Sequence, residues 1–215
     1  YYIDMELQKA LKFLDYFSII TVGDDKIPNF TWKKSMLEKI SVSEFSRRYN
    51  YKGGENRHDG TPRPATTNFG IVCGFDFLEC VDIDLKVFST AKEQKEFWNE
   101  YLSYLSDNIL DFEDKFVIYK TKNAGYHILY KTKRVDNNQK LAKLKGHKEA
   151  VIETRGIGGY IFAYPDNKVS KKSYFEIDFI SDEDRDIVMT FSKMYNYIDE
   201  KPIEKKKKKT EFATG

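Results

Sequence analysis

Residues 78–86 read LECVDIDLK, and this stretch governs both the fold class and the search for a site. Alternation of period two places Val81 and Ile83 on one face of a strand and Asp82 and Asp84 on the other. The strand rise then sets the two aspartate Cα atoms about 6.5 to 7 Å apart. Carboxylates that close repel. Their pairing makes sense if a divalent cation lies between them, because hard ions such as Mg2+ or Mn2+ favour carboxylate oxygens. A solvated strand face is the plainer alternative, and a lone Asp-x-Asp does not decide between the two.

Outward from this strand, helix and strand patterns mix without regular βα alternation. MELQKALKFLDYF (5–17) spaces Leu7, Leu11 and Leu14 for a helix, and FSIITV (17–22) is a β-branched run that reads as a strand. Ser41 followed by Glu44 has capping-box spacing for a helix over 42–50, after which 51–68 gather the Gly, Asn, Thr and Pro of a long loop. FGIVC (69–73) precedes Gly74 as another strand. Beyond the aspartates, Thr90 and Glu93 open a helix to about 108 that turns Phe97, Tyr101, Leu102 and Leu105 inward. FVIYK (116–120), YHILYK (126–131) and AVIETR (150–155) read as strands, with GGYIFAY close behind and a short helix near 138–144. YFEIDFI (174–180) is expected as a late strand, and Ser181 caps a closing helix. The expected fold is α+β, built on a mixed or largely antiparallel sheet.

The 215 residues suffice for one catalytic-sized domain over 1–200, and KKKKKTEFATG ends a low-complexity segment, 201–215, expected to be a disordered tail or linker. A composition 40% hydrophobic and 15% aromatic excludes a disordered chain, while the apolar runs are far too short to cross a bilayer. Formal charge is +2, but residues from Lys201 onward hold six lysines against two glutamates, which leaves the body slightly acidic. Any polyanion must therefore be held by a local basic patch or by bound cations, not by an overall field. Two cysteines, Cys73 and Cys80, cannot make a disulfide framework or a four-cysteine zinc site. With no basic-then-apolar leader, a reducing, cytoplasmic setting is expected.

Two further stretches carry chemistry. In VIETRG (151–156), Glu153 and Arg155 share a strand face, so one strand offers a metal ligand beside a phosphate-matching guanidinium. A cross-strand ion pair is the alternative. In TKNAGYHILYK (121–131), His127 sits mid-strand after a Gly-containing turn, with Lys120, Lys122 and Lys131 nearby. It is either a packed core histidine or a donor to phosphate.

Taken together these residues resemble the prim-pol domain of the archaeo-eukaryotic primase superfamily, as found in phage and mobile-element replication proteins. LECVDID is similar to its Asp-x-Asp motif, GYHILY to its strand histidine motif, and VIETRGIGGYIFAYP to its third motif, an acidic residue before an Arg-Gly turn and an aromatic strand. KIPNFTW (26–32), FGIVCG (69–74) and NQKLA (138–142) support the likeness, which covers roughly 10–180. The resemblance implies an α+β primase-like catalytic core whose later part is an RRM-like sheet. It implies that Asp82, Asp84 and Glu153 are catalytic and hold Mg2+ or Mn2+, and that His127 and Arg155 bind the triphosphate. The stricter family form has Ser two positions before the histidine. This chain has Gly125, so Asn123 or backbone amides are expected to substitute. Glu153 stands where the stricter form has Asp.

The function implied is template-directed joining of nucleoside triphosphates by two-metal nucleotidyl transfer, in phage or mobile-element DNA replication. A single-stranded DNA template is expected along Lys33, Lys34, Arg47, Arg48, Lys52, Arg57 and Arg63, and a fused or associated helicase as partner. Two alternatives share some of these residues. A metal-dependent glycosyltransferase also uses Asp-x-Asp but does not need Glu153 with its Arg-Gly sequel. A non-catalytic single-stranded nucleic-acid-binding module would tolerate Asp82→Ala.

Overall fold

The computed structural model describes residues 5–197. In chain order its elements are α1 (Met5–Tyr16), β1 (Ile19–Val22), α2 (Val42–Tyr49), β2 (Asn68–Val72), β3 (Leu78–Asp84) and α3 (Ala91–Asn108). Then follow α4 (Phe112–Lys115), β4 (Val117–Lys120), β5 (Gly125–Lys131), β6 (Gln139–Ala142), β7 (Ile152–Arg155), β8 (Tyr160–Phe162) and α5 (Asp182–Met194). Two antiparallel sheets result: a three-stranded one ordered β1-β2-β8 and a five-stranded one ordered β4-β5-β3-β7-β6. The fold is α+β, and the Asp-x-Asp strand β3 is the centre of the larger sheet.

The period-two pattern explains how both faces of that sheet are covered. Val81, Ile83, Ile128, Tyr130 and Ile152 pack against Trp98, Tyr101 and Leu105 of α3 and Val188 and Phe191 of α5. On the opposite face Leu78, Cys80, Val117, Tyr119 and Leu129 meet Ile19, Ile71 and Ile161 of the small sheet, with Leu7, Phe13 and Leu14 of α1 behind. Each large apolar side chain buried this way contributes about 1.5 to 3 kcal/mol. Asp82 and Asp84 belong to the second face but lie toward its end, where both side chains are half-buried.

The helix starts follow their capping residues. Thr90 Oγ1 accepts from Glu93 N–H at 3.2 Å, and the Glu93 carboxylate accepts from Thr90 N–H at 2.9 Å, a complete capping box. Ser41 caps α2 in the same way, but Glu44 turns its carboxylate to Arg47 and Arg48 instead. Ser181 caps α5 as expected.

Two expected elements differ. The stretch 138–144 has good helix formers but contributes β6, because Gln139, Lys140 and Ala142 pair with Thr154, Glu153 and Ile152 and so cover the β7 edge. Tertiary pairing overrides a weak local propensity there. YFEIDFI is not a ladder strand. Ser173 and Glu176 form a capping box around a 3-10 turn, Tyr174–Glu176, and Phe179 makes only an isolated bridge to Lys131. The turn seats Tyr174 on Tyr119, ring centroids 3.8 Å apart. The Lys-rich segment 201–215 lies outside the described residues.

Candidate active site

Sheet register aligns the site. Asp82 on β3 lies directly opposite His127 on β5 and Glu153 on β7, so the three side chains form one row on one face. Tyr119 extends the row on one side and Lys140 on the other. Arg155 sits one pleat back, opposite Cys80, and its guanidinium reaches forward. It contacts Asp82 Oδ2 through Nε at 3.3 Å and Nη2 at 3.2 Å, and Nη2 lies 2.8 Å from Glu153 Oε2. Burial pulls the Arg155 pKa down most strongly, but Asp82 and Glu153 together outweigh it and leave the pKa raised. The guanidinium is thus a fixed cation shared by two carboxylates.

His127 is 4% exposed. Its Nε2 stands 3.6 Å from Asp82 Oδ1, and its Nδ1 is buried without a hydrogen-bond partner. Burial lowers its pKa from the ordinary imidazole value; Asp82 opposes this and Arg155 adds to it. The ring is therefore neutral at neutral pH and able both to donate and to accept.

Asp84 is held differently. Its Oδ1 accepts from the Lys86 N–H at 3.2 Å, capping a 3-10 turn over Leu85–Val87, while Oδ2 lies 2.8 Å from Lys86 Nζ. The same ammonium is 3.1 Å from Glu149 Oε2. These contacts raise the Lys86 pKa, Asp84 first and then Glu149.

Opposite Asp84 on β5 is Gly125. A Cβ at this position would stand 2.4 Å from the Ile83 carbonyl oxygen, so the close approach of β5 to β3 excludes serine on this backbone. The Thr121 hydroxyl lies 2.9 Å from that same point, and the Thr121 N–H closes the turn by donating to Gly125 O at 2.8 Å. Asn123 is exposed at the rim of the turn. Gly156 has an equally steric reason: its Cβ would meet Asp136 O at 2.0 Å.

These groups face an open cavity of about 340 Å³ between the two sheets. Asp82, Asp84, Asn123, His127 and Arg155 line it, joined by Lys26, Lys86, Thr121, Asn138, Tyr160, Phe162 and Tyr164, several of them within the motifs quoted above but none named there as a site residue. Tyr160 is fixed by its hydroxyl on Lys26 O at 2.8 Å and by edge contact with Trp32. Glu153, although in the row, is not among the residues that line the cavity; its carboxylate meets it through Arg155 Nη2 at 2.8 Å.

The basic residues expected along a template divide in two. Arg47, Arg48 and Arg63 converge on the Phe30 ring at 5.5, 5.0 and 4.8 Å. Each is matched by an acid: Arg47 and Arg48 by Glu44, Arg63 by Glu55 and, close by, Arg57 by Asp25. Lys33, Lys34 and Lys52 are exposed, with Lys34 3.0 Å from Glu38.

Among the described residues no three His, Cys, Asp or Glu side chains are placed to hold a metal ion as they stand. Arg155 pairs with Asp82 and Glu153 there, and Lys86 with Asp84. The donor set itself, carboxylate oxygens on neighbouring strands, fits a hard divalent cation that takes one or two carboxylates and completes its shell with substrate phosphates. Among the described residues no helix is long and apolar enough to cross a membrane.

Fold and cleft together define an α+β protein with an acidic, arginine-bearing site between two antiparallel sheets. Residues 26–178 match the family described as bifunctional DNA primase/polymerase, N-terminal, and the chain belongs to this Prim-Pol family. DNA primase/polymerase-type nucleotidyl transfer is the chemistry that membership carries. No curated protein matches the chain.

Proposed function

We propose that the cleft joins nucleoside triphosphates on a single-stranded DNA template, by two-metal nucleotidyl transfer centred on Asp82, Asp84 and Glu153. The observation that carries this reading is the cross-strand row of His127, Asp82 and Glu153, with Arg155 reaching into it. Mg2+ or Mn2+ held by the three carboxylates would lower the pKa of the attacking 3′-hydroxyl and neutralise the triphosphate. The protein's own groups do the rest. Arg155 presents a guanidinium matched to phosphate oxygens, and its double hold on Asp82 and Glu153 fixes where that charge stands. His127, which lines the cleft with Nε2 3.6 Å from Asp82 Oδ1, donates to the triphosphate as charge grows on the leaving pyrophosphate. Asn123 lines the same cleft, and Gly125, opposite Asp84, is assigned to the nucleotide with it. The template follows Lys33, Lys34, Lys52 and the Arg47, Arg48, Arg57 and Arg63 cluster.

The five-stranded sheet is read as the RRM-like part of the core, supported by its antiparallel order around β3. Residues 1–200 form the catalytic domain in this reading and 201–215 a tail or linker, in a cytoplasmic phage or mobile-element replication protein that acts with a helicase. An unprimed assay on single-stranded DNA with labelled ribo- or deoxynucleoside triphosphates and Mn2+ or Mg2+ tests it. Template-dependent polymer is expected. No product with either sugar, unprimed or primed, would refute the reading.

His127→Ala is expected to raise KM for the triphosphate and lower kcat, with a combined loss of about 2 to 4 kcal/mol in transition-state stabilisation. Template affinity should stay within a few-fold, because one site contact is a small part of a multi-phosphate interface. Steady-state kinetics and a binding titration separate the two effects. A kcat/KM within threefold of wild type would return His127 to a packing role.

A further inference from the structure

We infer that Lys86 is a displaceable internal counter-cation at Asp84, and that Glu149 receives its ammonium when a divalent cation enters the cleft. The inference rests on the metal-dependent reading above and deepens it. Asp84 offers its two oxygens unequally. Oδ1 is tied to the Lys86 backbone N–H at 3.2 Å, and Oδ2 is covered by Lys86 Nζ at 2.8 Å. When the ammonium leaves, the backbone bond still orients the carboxylate, and the oxygen uncovered is the one free to take a cation.

Lys86 is suited to leaving. Its side chain is 54% exposed, so it moves without a large change in hydration, and an exposed ion pair is weakly held. Glu149 already stands 3.1 Å from the same ammonium and is 67% exposed. It lies in the connection between β6 and β7, which is fastened to the site by Asp84 N–H donating to Val151 O at 2.9 Å. One carboxylate thus lines the cleft and the other stands at its flank, with a single ammonium between them. Arg155 is the contrast: it is more enclosed and holds Asp82 and Glu153 at once, so Lys86 is the cation that yields. An ammonium and a divalent cation repel, so both cannot share Asp84 Oδ2.

The test is a titration of Mn2+ at low ionic strength, with free ion read by electron paramagnetic resonance, on the full chain without nucleotide. Lys86→Met should bind Mn2+ about threefold more tightly, the scale of an exposed ion pair. Glu149→Gln should bind it about twofold more weakly, because the ammonium loses its alternative partner. In the double variant the Glu149 substitution should have no effect. That coupling separates the inference from simple loss of charge near the site, which would weaken binding equally with or without Lys86. Unmoved affinity in Lys86→Met, or equal weakening in both backgrounds, overturns the inference while leaving the metal site standing. Wild-type protein that binds no more Mn2+ than Asp84→Asn overturns the metal-dependent reading with it. Thermal melts of the wild type and the four variants verify that each is folded.

Discussion

Asp82→Asn is expected to reduce nucleotide incorporation roughly a thousandfold or more, a barrier increase of about 4 kcal/mol, while the protein melts at or above the wild-type temperature. Asp82 is the centre of the row, opposite both His127 and Glu153, and both His127 and Arg155 address its carboxylate. Its neutralisation removes one of the clustered carboxylates, and that relief offsets the loss of its ion pair with Arg155. Arg155 keeps Glu153 at 2.8 Å and gives up only its longer contacts to Asp82. Asp84→Asn and Glu153→Gln should behave alike. Incorporation of labelled triphosphate and a thermal melt are the two measurements, and loss of activity with a large fall in Tm would make these residues structural ion pairs.

Arg185→Met should have the largest effect on stability, a loss of about 3 to 5 kcal/mol. Arg185 on α5 is 3% exposed and clasps Glu79, which is fully buried on β3, through Nε at 2.7 Å and Nη2 at 2.8 Å. Tyr130 donates its hydroxyl to the same Glu79 at 2.8 Å, and Asp136 accepts from Arg185 Nη2 at 3.1 Å. The hydrogen bond with Glu79 is the main cause of a strongly raised Arg185 pKa. Without the guanidinium, a carboxylate remains in the core with one neutral partner. At roughly 2 to 4 °C per kcal/mol for a chain this size, Tm should fall by about 10 °C. The double variant Glu79→Met, Arg185→Met should recover much of the loss, because no unpaired charge is left behind. A double variant no more stable than Arg185→Met would mean that the pair itself, and not the orphaned charge, sets the cost.

The parity of LECVDID was enough to assign Asp82 and Asp84 to one face and Val81 and Ile83 to the other, as observed. It was equally enough to place Glu79 on the helix-covered face, where a charged residue demands a buried partner; Arg185 was not identifiable because 106 residues separate them. Register brought Glu153 and His127 to Asp82, and only the shared motif order pointed to that meeting beforehand. The cations around Phe30 were legible as a cluster, but their neutralisation was also written locally: Glu44 precedes Arg47 and Arg48 at helical spacing. Lys86 was hidden for a different reason. It follows the motif directly in sequence, and its role depends on Glu149, which reaches it only through the loop before β7. Thr121 likewise has no sequence signal; the steric closure at Gly125 gives it significance.

The order in which the strands pair has a kinetic corollary. Ile19 pairs with Ile71, Ile71 with Ile161 and Asp82 with Glu153, so the small sheet and the acidic row both close over long stretches of chain. Such non-local topologies fold slowly, since loop entropy is lost before the contacts form. During synthesis the aspartates emerge well before their partner carboxylate and guanidinium. A nascent chain that ends ahead of β7 therefore exposes the hydrogen-bonding edge of β3 and cannot yet assemble the acidic row. Assembly of the acidic row and completion of the sheet become the same late event.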